Sequence, residues 1–240
     1  MYLQLRKTLY GIMKAAILWY KTFCECLKDN GFKLNLYNPC ITNTTMKGSR
    51  CTVCWHVDDC KISHRDPEVV TSIINMFQKE FSKVTIMRGI KHVFVGMDFE
   101  IKGEKNYITM TEYLKECIKA FGEEIDKTSK TPAAVNIFDV DESSQRLDKD
   151  NHKRYNHIAT KLLYMTKRAR LDTSLAVAFL CTRVSKSTSQ DWEKLRRLLQ
   201  YIKGTLNMPR IIEAMSLMSL MMYVDASYGV YPDMRGHTDG

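Results

Sequence analysis

The sequence predicts an α+β fold, in which a mixed-sheet region is followed by a helical one. Three observations carry this. Short runs rich in β-branched, aromatic and thiol side chains fall near residues 40–63 and 84–110, separated by turn residues. Helical periodicity opens the chain and returns between those runs. After residue 150 the pattern turns helical three times, then ends on a strand-like stretch.

Residues 8–31 read mainly as helix, with Ile12, Ile17, Leu18, Trp19, Phe23 and Leu27 as apolar positions and a stop at Asn30-Gly31. Residues 40–46 and 50–57 are expected strands, and Lys47-Gly48-Ser49 between them is a hairpin signal. Asp58-Asp59 follows, then a short strand at 60–63. Asp66 can cap a helix whose first position is Pro67, because that position needs no backbone N–H. Val69, Val70, Ile73, Ile74, Phe77 and Phe81 give that helix one buried face. Residues 84–87, 93–101 and 107–110 read as strands, the last two joined through 102–106. Thr111 is placed to cap a helix over 112–121.

Residues 122–150 form the best linker, with Thr131-Pro132-Ala133-Ala134 and a polar run over 139–150. Helices are expected at 151–167, 173–184 and 191–203, the last with Trp192, Leu195, Leu199 and Ile202 along one side. Residues 217–224 return to strand character and end on Asp225. The resulting division is 1–121, 122–150, 151–210 and 211–240.

Composition narrows the function classes. The 240 residues are 45% hydrophobic and 26% charged with 11 Gly and 5 Pro, which fits neither a disordered nor a fibrous chain. No stretch reaches the roughly 18 apolar residues of a membrane span, and the amino terminus lacks the apolar core of a secretion signal. An intracellular location, cytoplasmic (including virus-like particles) or nuclear, is therefore expected, with no membrane partner. A net charge of +9 favours a polyanionic partner, nucleic acid first. The basic residues recur in clusters: Lys7 and Lys14 early, Arg168 and Arg170 in the middle, and Lys194, Arg197 and Lys203 along the last helix.

Eight cysteines in a chain with no secretion signal read as reduced thiols. Cys51-Thr-Val-Cys54, near His56 and Cys60, raises zinc. On a strand, however, Cys51 and Cys54 point to opposite faces and cannot share an ion, so no zinc site is assigned. The tryptophans at 19, 55 and 192 read as packing residues. Asp58-Asp59 is the chemically distinctive pair. Adjacent carboxylates repel, and the arrangement becomes favourable when a divalent cation neutralises them. Polymerases use such hard oxygen ligands to hold metal ions for phosphoryl transfer.

Motifs in order along the chain then point to one family. Leu5-Arg6-Lys7-Thr8-Leu9-Tyr10-Gly11 through Trp19-Tyr20 is similar to L-K-K-A-L-Y-G-L-K-Q-A-x-R-x-W-Y. Gly31-Phe32 and Asn38-Pro39 precede His56-Val57-Asp58-Asp59, which corresponds to Y-V-D-D. Phe94-Val95-Gly96-Met97 is similar to F-L-G-M, and Thr131-Pro132 to a T-P marker. Residues 155–166, Arg170-Leu171-Asp172 and residues 201–205 continue the series, as do Tyr223-Val224-Asp225-Ala226-Ser227 and the 233–238 segment. The chain resembles the reverse transcriptase of Copia-type long-terminal-repeat retrotransposons, almost end to end.

The resemblance implies a partial polymerase palm and thumb start over 1–121, a linker over 122–150 and a helical connection over 151–210. Residues 211–240 would be the truncated start of a ribonuclease H-like domain. It implies Asp58 and Asp59 as metal-binding catalytic carboxylates, Asp225 as the first metal carboxylate of the ribonuclease H site, and Mg2+ or Mn2+ as cofactor. Template–primer of RNA and DNA, dNTP and the rest of the pol polyprotein are the implied partners. Lys7, Lys14, His56, Arg168, Arg170, Lys194, Arg197 and Lys203 are the expected nucleic-acid contacts. His56 stands where the family has Tyr, and Leu171 where it has Pro. The family's third metal-binding Asp lies upstream of L-Y-G, where no residue of this chain takes the role, so the chain alone is expected not to polymerise. The alternative is a degenerate transposon remnant with at most nucleic-acid binding.

Overall fold

The computed structural model describes residues 13–213, 225–231, 234 and 236–239. It is α+β, with antiparallel sheets and six α-helices among the described residues. The chain divides into two compact units, Met1–Arg88 and Gly89–Gly240.

In the first unit, α1 (Met13–Asp29) precedes a meander of four antiparallel strands in the order β1 (Lys33–Leu34), β2 (Ile41–Met46), β3 (Ser49–His56) and β4 (Asp59–Ser63). Helix α2 (Pro67–Phe81) closes the unit. Asp66 caps α2 by accepting from the Glu68 N–H, and Pro67 opens it, as the sequence predicts. On β3 the period of two is explicit: Cys51, Val53 and Trp55 are buried, while Thr52 and Cys54 face the other way. Cys51 and Cys54 therefore lie on opposite faces of the strand. Phe23 and Leu27 of α1 and Val69, Ile73 and Phe77 of α2 pack with the buried side chains of β3 into one core.

In the second unit, β5 (Lys91–Phe94), β6 (Met97–Lys102) and β7 (Lys105–Thr109) lead into α3 (Thr111–Ala120). Then come α4 (Lys149–Thr166), a short 3-10 turn (Leu171–Thr173), α5 (Ser174–Thr182) and α6 (Ser189–Gly204). Strand β8 (Arg210–Glu213) returns to pair with β7, giving the order β5-β6-β7-β8. A separate hairpin joins β9 (Asp225–Ser227) to β10 (His237–Asp239). The core is helical: Leu114 and Phe121, Tyr155, Ile158 and Leu162, Val177 and Leu180, and Leu195, Leu199 and Ile202.

Three local expectations differ from the structure. Residues 93–101 are not one strand. Val95 and Gly96 both take positive φ (52° and 70°), and Phe94 pairs with Met97, so a two-residue turn folds the run into a hairpin. Residues 84–87 are not a strand but irregular backbone. Thr111 does not cap α3. It is the first helical residue, and its hydroxyl donates to the Leu206 carbonyl, 3.4 Å away. The 217–224 run lies outside the described residues.

Residues 122–148 form no helix or ladder strand, yet Ile125 and Ile137 are buried in the helical core. Phe138, Val140 and Leu147 pack against it. The segment is an irregular strap lying on α6.

Candidate active site

The Asp58-Asp59 pair sits at the end of the β3–β4 hairpin. His56 pairs with Asp59 across the ladder, so the turn itself is the two residues Val57 and Asp58. Val57 has φ 55°, a left-handed conformation that β-branched residues rarely adopt, whereas Asp58 does not enter that region. Positive φ at the first turn residue alone is the signature of a type II′ turn, where glycine is usual. The β6–β7 turn shows the ordinary solution, with Gly103 at φ 60° in the equivalent place.

The hairpin stands on an aromatic base. Trp55 on β3 packs edge-on against Phe23 with ring centroids 5.1 Å apart, and Phe23 touches Phe77 at 5.2 Å. Trp19 stacks on Phe23 at 5.6 Å and tilts against Phe81 at 5.0 Å. The Trp19 indole N–H donates to the Val57 carbonyl at 2.7 Å, tying α1 to the turn. His56, Val57, Asp58 and Asp59 are exposed. Among the described residues, neither carboxylate has an ion-pairing cation, and no three His, Cys, Asp or Glu side chains converge on one point. What the turn offers is two adjacent hard-oxygen donors, open to solvent and unneutralised by any described cation, on a rigid support. That donor chemistry fits a Mg2+-class cation.

The other expected residues fall in varied settings. Lys7 lies outside the described residues. Asp225 opens β9, and only its backbone is described. Lys14 is exposed on α1. Arg168 lies over the Tyr164 ring, 3.6 Å from its centroid, and donates to the Tyr164 carbonyl. Tyr164 in turn donates its hydroxyl to the Val95 carbonyl at 3.0 Å.

Arg170 is turned inward and is 1% exposed. Its guanidinium forks onto Asp172 (2.8–3.3 Å) and reaches the Thr205 carbonyl and hydroxyl at 3.0 and 2.7 Å. Tyr201 donates to the same Asp172 at 2.8 Å. Burial works to raise the Asp172 pKa, but the hydrogen bonds from Arg170 and Tyr201 outweigh it and hold the carboxyl below its ordinary value. This network joins the 3-10 turn to the end of α6.

The cations of α6 also find internal partners. Lys194 donates to the carbonyls of Ile137 (2.9 Å) and Asp139, Arg197 to the Thr131 hydroxyl at 2.9 Å, and Lys203 to the Ile125 carbonyl. Burial, the largest influence, pushes the Lys194 amine down. Neighbouring Arg196 and Trp192 both bond Glu123. The face of α6 read from the sequence as a phosphate-contacting stripe therefore clasps the 122–139 strap. No sequence signal marks this, because each partner lies 55 to 78 residues away.

Comparison with known proteins gives a family. Residues 1–135 match the family described as reverse transcriptase (RNA-dependent DNA polymerase). An uncharacterized mitochondrial protein of Arabidopsis thaliana is 23% identical over 185 residues, covering 77% of this chain and 75% of that protein. The retrovirus-related Pol polyprotein from transposon TNT 1-94 of Nicotiana tabacum is 22% identical, covering 84% of this chain. That from transposon RE1 of Arabidopsis thaliana is 24% identical over 99% of it. The chain spans 16% of the length of each of these two polyproteins. No solved structure matches the chain significantly. Among the described residues no helix is long and apolar enough to cross a membrane.

Proposed function

Because this chain belongs to the reverse transcriptase family of Copia-type retrotransposons, we propose that it supplies the catalytic turn of an RNA-directed DNA polymerase within a pol polyprotein. The observation that carries the reading is the exposed Asp58-Asp59 pair, unneutralised by any described cation, on a hairpin anchored by aromatic packing. Asp58 and Asp59 would hold Mg2+ or Mn2+ through their carboxylate oxygens. Bound there, the ion supplies charge stabilisation for attack of a primer 3′ hydroxyl on a dNTP.

The chain's own residues contribute placement. The β3–β4 ladder and the core beneath it fix where the carboxylates stand, so that little reorganisation is needed on binding. His56, exposed next to the turn, would meet the primer end, with Lys14 and Arg168 as candidate phosphate contacts on the template–primer. In the same reading, residues 1–121 are palm and the start of the thumb, and residues 151–210 are a connection region. Residues 211–240 are the start of a ribonuclease H-like domain with Asp225 as its first metal carboxylate, and the protein works inside the cell with the rest of the polyprotein.

Manganese titration of the 15N-labelled chain tests the site. Paramagnetic broadening of amide signals over residues 56–60 is expected, falling at least tenfold in Asp58→Asn and in Asp59→Asn. Broadening that is absent at the turn, or unchanged in both variants, would refute the reading.

A further inference from the structure

We propose that Trp19 is a positioning residue that selects the type II′ form of the 57–58 turn and thereby sets the direction of the Asp58 carboxylate. The inference deepens the reading above and rests on it for the role of Asp58.

Two-residue hairpins have two favoured forms, I′ and II′, related by rotation of the central peptide plane. Here that plane is the Val57–Asp58 peptide. In II′ only the first residue has positive φ; rotation to I′ would carry Asp58 into the left-handed region as well and reverse the Val57 carbonyl. Asp tolerates that region better than most residues, so sterics alone do not forbid the rotation. Val57 gives no preference of its own for II′, since the residue suited to that place is glycine. The chain uses glycine there at Gly103, and it uses positive φ at both residues in the Lys47-Gly48 and Val95-Gly96 turns.

At the catalytic turn an external clamp acts on the peptide plane. The Trp19 indole N–H holds the Val57 carbonyl at 2.7 Å, and the indole is itself fixed by Phe23 and Phe81. Reversing the peptide would break this bond. The Val95 turn gives an independent parallel: it takes the other form, and its first carbonyl is held by the Tyr164 hydroxyl at 3.0 Å. In both turns a β-branched residue occupies a left-handed conformation, and an aromatic side chain from a helix fixes which way the peptide faces. Sequence reading places Trp19 among packing residues, and its ring does pack. The N–H adds a second role.

The test uses the full chain with Trp19→Phe, which keeps a ring in the core and deletes the donor. In wild type, the Trp19 indole proton should exchange slowly with solvent. In the variant, the metal-free backbone signals of Val57 and Asp58 should shift, and manganese broadening over 56–60 should fall at least fivefold. Val69→Ala, a lesion in the same core at a residue of α2 outside the Trp19–Phe23–Phe81 cluster, should lower stability while leaving both readouts near wild type. Wild-type signals and broadening in Trp19→Phe would overturn the proposal, as would an equal loss in Val69→Ala or a rapidly exchanging indole proton in wild type. If Asp58→Asn leaves the broadening unchanged, the metal reading fails, but the metal-free shifts and indole exchange still decide the role of Trp19.

Discussion

Replacing Arg170 with Met separates two accounts of this residue, a nucleic-acid contact and an internal tie. The structure favours the tie, because the guanidinium is 1% exposed and bonds Asp172 and Thr205. Met preserves much of the side chain's apolar volume but removes the charge and every donor. Breaking a buried ion pair by deleting one partner costs about 3–5 kcal/mol. Asp172 keeps 23% side-chain exposure and its Tyr201 bond, so water can partly replace Arg170 and the lower end, about 3 kcal/mol, applies. For a unit of about 150 residues this is a fall in Tm of about 6–12 °C.

The pH dependence carries the same signature. The folded Asp172 pKa lies below its unfolded value, so its contribution is fully present above the ordinary carboxylate range and is lost as pH falls through the lowered value. Arg170→Met should flatten that acid-side slope. The assays are urea and thermal unfolding across pH 2–7, with template–primer binding measured in parallel. Adding Asp172→Leu to Arg170→Met should recover part of the loss, since no unpaired charge then stays behind. A stability change below about 1 kcal/mol together with a large loss of binding would refute the reasoning and restore Arg170 as a phosphate contact.

The clasp on α6 makes a related prediction. Lys194→Ala and Lys203→Ala should each cost about 1 kcal/mol and speed hydrogen exchange over residues 125–139, since the carbonyls of Ile137, Asp139 and Ile125 lose a charged donor. Unchanged exchange with weakened template–primer binding would show that these amines serve nucleic acid instead. Gly122, just past α3, has φ 74°, and an added methyl would stand 2.8 Å from an Arg154 guanidinium nitrogen. Gly122→Ala should therefore cost about 1–2 kcal/mol in urea unfolding, and a loss under about 0.3 kcal/mol would contradict the strain account.

Much of the first unit was legible because its signals are local. Asp66-Pro67 marks a helix start through groups one to three residues apart, and the 40–63 hairpins follow from alternation and turn residues. The later hairpin is hidden from the sequence for a local reason as well: Phe94-Val95-Gly96-Met97 continues the apolar run, and Val95 is a poor turn residue by propensity. Its left-handed backbone is held by Tyr164, 69 residues away, which no window of sequence includes. The strap over 122–148 has linker composition, yet Ile125 and Ile137 are buried because α6 supplies cations for its carbonyls.

The sequence by itself determined the α+β class, the family and the place of Asp58 and Asp59 at a hairpin turn. These depend on residue order and short-range periodicity, which survive at 22–24% identity. Tertiary structure decided what the long polar side chains reach. Lys and Arg extend far from their own backbone, so whether they meet phosphate, a carbonyl or a carboxylate depends on which segment folds beside them. That is why Arg170, Lys194 and Lys203 are internal ties here, and why the indole of Trp19 reaches the carbonyl beside the Asp58-Asp59 pair.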